Sequence, residues 1–349
     1  METAILLSGG VDSSLALHLL REEGHTLRAF YLKVWLEEEL SFLGDCPWEE
    51  DLRYARAVCA QAGIPLEIVP LQAEYLEKVV EHALDELRAG RTPSPDIHCN
   101  RRIKFGVFLE RLGGDFAKVA SGHYARLDVQ GDQYRLLRAA DPVKDQTYFL
   151  SDLDQVQLER VLFPIGHLPK SEVRRLAAGY GLPTKDRKDS QGICFLGKID
   201  YRQFVKARLG ERPGPIVDRG SGRILGAHRG LWFHTVGQRH GLRLGGGPWF
   251  VVGKDLGEDV LWVAHEAQKE ERLRHHFEVG RPHWIADRPA EGSLEVKLRH
   301  GPQTTRCTLT PLEEGRQRVE LQRPDPGVAP GQHAVFYQDE VCLGGAVII

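Results

Sequence analysis

The run Thr3-Ala4-Ile5-Leu6-Leu7 passes directly into Ser8-Gly9-Gly10, and Val11, Leu15, Leu19 and Leu20 then recur at helical spacing before Gly24. An apolar strand, a glycine turn and an amphipathic helix make half of a βαβ unit, and such units build a parallel sheet covered on both faces. The pattern repeats. Residues 27 to 35 read as a second strand, 49 to 62 as a helix ended by Gly63, and Ile64 to Val69 as a third strand. A helix is predicted from about Gln72 to Arg88, closed by Gly90. Pro93 and Pro95 then keep residues 91 to 99 in an ordered loop. Another helix is expected from about Arg101 to Leu112, a strand at Lys118 to Ala120, and a last helix, capped by Ser171, through Tyr180.

After about residue 200 the texture changes. Gly and Pro become dense, and apolar and polar residues alternate, as in Ser293-Leu294-Glu295-Val296-Lys297-Leu298. That period of two marks antiparallel strands, and Arg318 to Leu321 and Ala334 to Tyr337 suggest a small barrel or sandwich. The 349 residues suffice for two or three domains. No stretch approaches the ~20 apolar residues of a membrane helix, and the N-terminus lacks a basic leader, so a cytoplasmic protein with no membrane partner is expected. A net charge of −3 excludes a uniformly basic coat but not a local basic surface. Arg101-Arg102-Ile103-Lys104 and Lys185-Asp186-Arg187-Lys188 are such clusters, although each read alone is a solvated face.

Six cysteines occur, at 46, 59, 99, 194, 307 and 342. None forms a Cys-x-x-Cys pair, and His265, His275 and His276 lack ligand spacing, so no metal site is assigned and those histidines are placed on the surface. Cys59, in a helix, and Cys307 and Cys342, in strands, read as small buried hydrophobes. Cys46, before Pro47, receives no role.

Ser8-Gly9-Gly10-Val11-Asp12-Ser13-Ser14 lies where a strand opens into a helix. Glycines permit close approach of a ligand, and the helix N-terminus favours an anion. Asp12 is positioned to hold Mg²⁺ between phosphates. The plainer alternative is a serine-rich turn that caps a helix. No Gly-Lys-Ser/Thr follows, and the Gly-x-Gly-x-x-Gly fingerprint is absent. Ser-Gly-Gly-x-Asp-Ser resembles the pyrophosphate loop of the ATP pyrophosphatase superfamily, which implies cleavage of ATP to AMP and pyrophosphate.

Two further motifs bear on the acceptor: Ser94-Pro95-Asp96-Ile97-His98-Cys99-Asn100-Arg101-Arg102-Ile103-Lys104-Phe105-Gly106 and Asp189-Ser190-Gln191-Gly192-Ile193-Cys194-Phe195-Leu196-Gly197. Cys99 is expected at the start of a helix beside three basic residues, a setting that favours thiolate, with Asp96 as a proton acceptor or orienting group. With the phosphate loop, and with Ser121-Gly122-His123-Tyr124-Ala125, Lys144-Asp145-Gln146-Thr147-Tyr148-Phe149-Leu150, Thr235-Val236-Gly237-Gln238-Arg239 and Pro330-Gly331-Gln332-His333, they resemble the tRNA-specific 2-thiouridylase family over nearly the whole chain.

That resemblance implies a pyrophosphate-loop α/β domain with a parallel sheet (residues 1–197), a small central β domain (198–268) and a C-terminal, tRNA-contacting β-barrel (269–349). Leu6, Leu7, Ser8, Gly9, Gly10, Val11, Asp12, Ser13 and Ser14 would hold ATP, with Leu32 and Gly122 at the adenosine. Leu32 departs from the methionine of the family pattern, a volume-conserving change. Cys194 would carry a persulfide and Cys99 would be the second catalytic thiol. Ser94, Pro95 and Asp96 would surround the target base, while His123, Lys144, Asp145, Gln146, Arg299, His300 and Gln332 would contact tRNA. The implied partners are tRNA, through the wobble uridine of its anticodon loop, and a persulfide-donating sulfurtransferase or relay protein. A variant places a [4Fe–4S] cluster on Asp96, Cys99 and Cys194. An amide-forming ATP pyrophosphatase and a non-catalytic RNA-binding module are the rival readings.

Overall fold

The computed structural model describes residues 2–35, 48–112, 114–189, 200–286 and 294–349. Its first half runs β1 (Glu2–Leu6), α1 (Val11–Glu22), β2 (Leu27–Lys33), α2 (Trp48–Ala62) and β3 (Leu66–Pro70). Helix α3 follows (Gln72–Tyr75, continued without a break by Leu76–Glu81 and His82–Arg88), then α4 (Pro95–His98, continued by Cys99–Val107 and Phe108–Leu112). After these come β4 (Phe116–Ala120), β5 (Arg126–Gln130), β6 (Gln133–Leu137), α5 (Thr147–Leu150), α6 (Gln155–Glu159), β7 (Val161–Leu162) and α7 (Lys170–Gly179).

Five parallel strands lie in the order β3-β2-β1-β4-β7. The apolar run of β1 is buried on both faces, which is why it shows no polar alternation. Ala4 and Leu6 join the core beneath α3 and α4, while Ile5 and Leu7 join the core beneath α1, α2 and α7. The order reverses between β1 and β4. Ligands of open α/β sheets bind outside the carboxyl ends of strands at such a reversal. The turns after β1 and after β4, Ser8–Gly10 and Ser121–His123, therefore share one crevice.

Two expectations change here. The loop over 91 to 99 gives way to helix at Pro95, since a proline at the first helical position loses no intrahelical hydrogen bond. Cys99 consequently lies more than a turn inside α4, and Asp96 takes the first turn. Both α3 and α4 carry π-helical turns, at Leu76–Glu81 and Cys99–Val107, a geometry found disproportionately at functional sites. Helix α7 begins at Lys170 with Pro169 as its N-cap, so Ser171 is not the cap.

The second half runs α8 (Tyr201–Leu209), β8 (Gly214–Asp218), β9 (Ile224–His228), β10 (Trp249–Asp255), β11 (Val260–His265), β12 (Arg274–Val279), β13 (His283–Trp284), β14 (Leu294–Lys297), β15 (Thr305–Pro311), β16 (Gln317–Asp325), β17 (His333–Gln338) and β18 (Val341–Val347). Strands β10-β11-β8-β9 form a small sheet closed over Ile216, Leu231, Trp249, Val251, Leu261 and Val263. In the last sheet the order is β12-β16-β15-β14-β17-β18-β6-β5. Its final two strands come from the first half of the chain. Leu136 and Leu137 pair with Cys342 and Val341, so the hairpin β5–β6 bolts the C-terminal barrel to the α/β domain. The signal for that hairpin is the Gly131-Asp132 turn, with Gly131 at φ +60° between paired Gln130 and Gln133.

Lys254 of β10 donates to the Gly90 carbonyl (2.8 Å), and the Thr92 N–H donates to the Pro330 carbonyl (2.7 Å). Thr92 Oγ1 also meets Thr235 Oγ1 at 3.3 Å. The segment leading into α4 is thus held by all three parts of the molecule. Among the described residues, no helix is long and apolar enough to cross a membrane.

Candidate active site

Gly9, at φ +73°, turns the chain between β1 and α1. Ser13 Oγ accepts the Ser8 N–H (3.2 Å) and Ser14 Oγ donates to the Gly10 carbonyl (2.7 Å), so the serines hold the turn as a preformed loop. Gly122 closes the crevice from the β4 side. A Cβ there would stand 2.5 Å from Ser13 N and 2.8 Å from the Asp12 carbonyl carbon. Leu32 sits at the carboxyl end of β2, beside the same crevice, partly buried against the core.

Charge is concentrated at this turn. Lys170 Nζ donates to Asp12 Oδ1 (2.7 Å) and Oδ2 (2.9 Å), and the Tyr124 hydroxyl donates to Asp12 Oδ1 (2.7 Å). Burial, and then the Asp12 charge, push the Tyr124 phenol up, so it remains a donor. Lys170 also reaches Asp189 (2.8 Å), as do Lys144 (2.6 Å) and Arg174 (2.5 Å). Burial raises Asp189, but the hydrogen bonds from Lys144 and Lys170 overcome it and bring the carboxyl down to about 2. Arg187 donates to the Gly9 carbonyl (2.6 Å) and pairs with Asp51. Three cations thus converge on one carboxylate, and one of them, Lys170, also binds Asp12 of the turn.

Asp12 is the loop's one acid, and both its oxygens are engaged by Lys170 and Tyr124. Mg²⁺ does not fit that carboxylate as it is arranged. Among the described residues no group of three His, Cys, Asp or Glu side chains could hold a metal ion.

Asp96 and Cys99 stand on α4. The Phe105 ring of the same helix packs 5.9 Å from the His123 ring, and His123 follows Gly122. Burial pushes the Asp96 carboxyl up, against the opposing pull of Lys104 and His300. Burial, and then Lys104, hold His123 well below its ordinary range, so its imidazole is neutral, with Nδ1 2.8 Å from Ser121 Oγ. Lys104 therefore lies within electrostatic reach of both Asp96 and His123. Cys99 is 2% exposed. Its expected place at a helix N-terminus is corrected by the start at Pro95, and that ground for thiolate character lapses. Cys194 and Cys46 lie outside the described residues. Of the three ligands the iron–sulfur arrangement would need, Asp96 and Cys99 are among the described residues and Cys194 is not.

The residues expected at tRNA divide by exposure. Arg299 is half-exposed on the barrel and pairs with Asp325. The His300 ring stacks on Phe149 at 4.8 Å and its Nε2 meets the Asp145 carbonyl at 3.2 Å. Lys144, Gln146, Ser94, Pro95 and Gln332 are partly accessible, and Gln332 is tied through its backbone to Ala329 and Ile348. Asp145 differs. It is 2% exposed, and its carboxylate accepts Lys297 Nζ (2.7 Å), Thr147 Oγ1 (2.9 Å) and the Ala139 N–H (3.1 Å). A nucleic acid has no path to that side chain in this arrangement, and it anchors the barrel instead.

A family profile described as "tRNA methyl transferase HUP domain" matches residues 1–198, one described as "tRNA methyl transferase PRC-barrel domain" matches 202–265, and "Aminomethyltransferase beta-barrel domain" matches 274–348. The chain is 44% identical over 355 residues to tRNA-specific 2-thiouridylase MnmA 2 of Bacteroides fragilis, covering all of both chains. It is 43% identical over 359 residues to tRNA-specific 2-thiouridylase MnmA of Porphyromonas gingivalis, covering all of this chain and 99% of that one. This chain belongs to the tRNA-specific 2-thiouridylase family. Among solved structures it resembles NMN synthetase from Francisella tularensis (TM-score 0.34, 16% identity, 58% of this chain and 71% of that one). It also resembles the U34-tRNA thiolase NcsA from Methanococcus maripaludis with its [4Fe-4S] cluster (TM-score 0.36, 18% identity, 59% and 64%).

In this chain, four groups at the loop carry no role in the sequence reading: Lys170, Arg174, Tyr124 and Asp189. Lys170 and Arg174 sit on one face of α7 at i and i+4, a signal present in the sequence but indistinguishable there from a solvated helix face. The remaining described cysteines hold to the bland expectation. Cys59, Cys307 and Cys342 are buried, and burial pushes their thiols up to about 11, 12 and 12. His275 and His276 are exposed, whereas His265 is half-buried and accepts the Ala267 N–H.

Proposed function

We propose that this chain is a tRNA-uridine 2-sulfurtransferase that adenylates the carbon-2 oxygen of the wobble uridine with ATP and replaces that oxygen with sulfur. One observation carries the reading: Asp12 of the Ser8–Ser14 turn binds Lys170, which shares Asp189 with Lys144 and Arg174, while the turn faces Gly122, and the adjoining His123 packs on Phe105 of the helix that bears Asp96 and Cys99. Membership of the 2-thiouridylase family supports it.

A carbonyl oxygen is a poor leaving group, so the enzyme must first make it a good one. The oxygen attacks the α-phosphate, an O–P bond forms, and pyrophosphate leaves into the turn. Preorganised donors and cations stabilise the charge there, without reorganisation at the moment of reaction. The terminal sulfur of a persulfide on Cys194 attacks carbon-2 and AMP departs. The Cys99 thiolate then attacks the Cys194 sulfur, closing a Cys99–Cys194 disulfide and leaving the sulfur on the base. Two electrons from a thiol reductant reopen the pair, and a persulfide-donating sulfurtransferase or relay protein reloads Cys194. The neutral His123 and the partly accessible Lys144, Gln146, Arg299, His300 and Gln332 line the approach for tRNA. The base must leave its stack to enter, at a cost of a few kcal/mol. We assign residues 1–197 to catalysis, 198–268 to the central β domain and 269–349 to the tRNA-contacting barrel, in a cytoplasmic protein.

The test is incubation with ATP, a sulfur donor and unmodified tRNA, followed by nucleoside mass analysis. 2-Thiouridine is expected, and Cys99→Ser or Cys194→Ser should abolish it while leaving tRNA binding nearly intact. Full 2-thiouridine formation in both variants would refute the dithiol scheme, and none from the wild type would favour an amide-forming enzyme. A brown protein with about four irons after anaerobic purification would replace the persulfide by a cluster.

A further inference from the structure

Resting on that reading of the nucleotide site, we propose that Tyr124 is a positioning residue for Asp12 and that Lys297, in the C-terminal barrel, holds it in place through Asp145 and Gln146. Tyr124 is 2% exposed and is held at three points. Its hydroxyl donates to Asp12 Oδ1 (2.7 Å), its N–H donates to Gln146 Oε1 (2.9 Å), and its carbonyl accepts the Gln146 N–H (2.9 Å). The reciprocal pair with Gln146 leaves the Tyr124 backbone no freedom to swing. Gln146 in turn follows Asp145, whose carboxylate gathers the Ala139 N–H, Thr147 Oγ1 and Lys297 Nζ. Thr147 Oγ1 meets Tyr337 Oη of β17 at 3.2 Å, so two barrel strands grip the same segment.

The Lys297–Asp145 pair is almost wholly withdrawn from water, with side chains 1% and 2% exposed. Desolvating two charges costs about as much as their attraction returns, so such a pair is a poor source of net stability. What it supplies is a fixed geometry. Breaking it leaves a buried carboxylate unpaired, and the segment that carries Gln146 must then shift to rehydrate it. The path from the barrel to the turn is short: an ion pair from Lys297 to Asp145, the peptide bond from Asp145 to Gln146, two hydrogen bonds from Gln146 to Tyr124 and one from Tyr124 to Asp12. The second cation on Asp12, Lys170, comes from α7 and is independent of that path.

The experiment uses the full-length protein and measures three things: the dissociation constant of a non-hydrolysable ATP analogue, the dissociation constant of unmodified tRNA, and Tm. Tyr124→Phe fills the same space and removes only the donor. It should weaken the analogue about tenfold, the loss expected for a hydrogen bond to a charged acceptor, with tRNA affinity held within about twofold. Lys297→Met should lower Tm and also weaken the analogue. Lys297→Met with Asp145→Asn removes the unpaired charge but keeps an acceptor for Ala139 and Thr147, and should restore analogue affinity. Unchanged analogue affinity in Tyr124→Phe overturns the inference. So does a Lys297→Met protein that melts earlier yet binds the analogue like the wild type. Wild-type protein that makes no 2-thiouridine, while the variants show the expected affinity pattern, would sink the proposed reaction and leave the brace standing. Wild-type protein that fails to bind the analogue overturns both.

Discussion

Replacing Gly122 by alanine tests whether the two turns at the sheet reversal form one nucleotide site. Gly122 is not in the left-handed region of φ, so the local backbone tolerates a methyl group and only space refuses it. The added Cβ would meet Ser13 N at 2.5 Å, the Asp12 carbonyl carbon at 2.8 Å and Ser13 Cα at 2.8 Å. All three are backbone atoms, so no side chain can rotate out of the way. Ordinary contact begins near 3.4 Å, so the turn must retreat by roughly the difference of 3.4 and 2.5, about 0.9 Å. Overpacking of this kind costs about 1–3 kcal/mol of stability. A misplacement near 1 Å in a positioned reactant costs about a hundredfold in rate. Gly122→Ala should therefore lower kcat/KM for ATP by about 30- to 100-fold in a tRNA-dependent pyrophosphate-release assay. Its affinity for tRNA should stay within about twofold, because the phosphate turn is the part displaced. The stabilisation of wild-type protein by ATP in a thermal melt should be largely lost. A variant with wild-type KM for ATP and an undiminished ATP-induced shift would refute the placement of nucleotide between these turns.

Three further outcomes are expected. Lys170→Met should raise KM for ATP several-fold with a smaller change in tRNA affinity, measured by the same release assay, and an unchanged KM would remove Lys170 from the site. Burial lowers His98 and His234 to about 3, so each stays neutral in the folded protein while the unfolded chain takes up a proton below about 6.5. Stability therefore falls as pH drops from about 6.5 toward 3. His234→Phe should flatten that limb by up to about 1.4 kcal/mol per pH unit in denaturant titrations, and an unaltered slope would contradict the assignment. tRNA binding should weaken steeply with salt, by about a factor of ten or more between 50 and 200 mM if several phosphates are neutralised, whereas salt-independent binding would point away from a nucleic-acid surface.

How much of this was visible before folding follows from the range of each interaction. Strand β1, the Ser8–Ser14 turn and α1 are contiguous in sequence, and their pattern of apolar run, glycines and helical repeat is a local property that survives into the structure. Helix α4 was placed six residues late because Pro93 and Pro95 were both read as breakers, although a proline at the first helical position is compatible with helix. That shift moved Cys99 from a helix end to a helix interior. The hairpin β5–β6 carried an ordinary turn signal at Gly131-Asp132, yet nothing local says that it completes a sheet whose other strands begin at Arg274. Lys170 and Asp145 were hardest of all. One looks like a solvated helix lysine and the other like an exposed acid in a polar run, and each acquires its meaning only from a partner 158 or 152 residues away. The chemistry of the loop could thus be read from adjacent residues, while the groups that aim it are set by contacts across the fold. The turn is shaped by its neighbours in sequence, whereas Tyr124 and Lys170, which engage its Asp12, come from elsewhere in the chain, one beside β4 and one on α7.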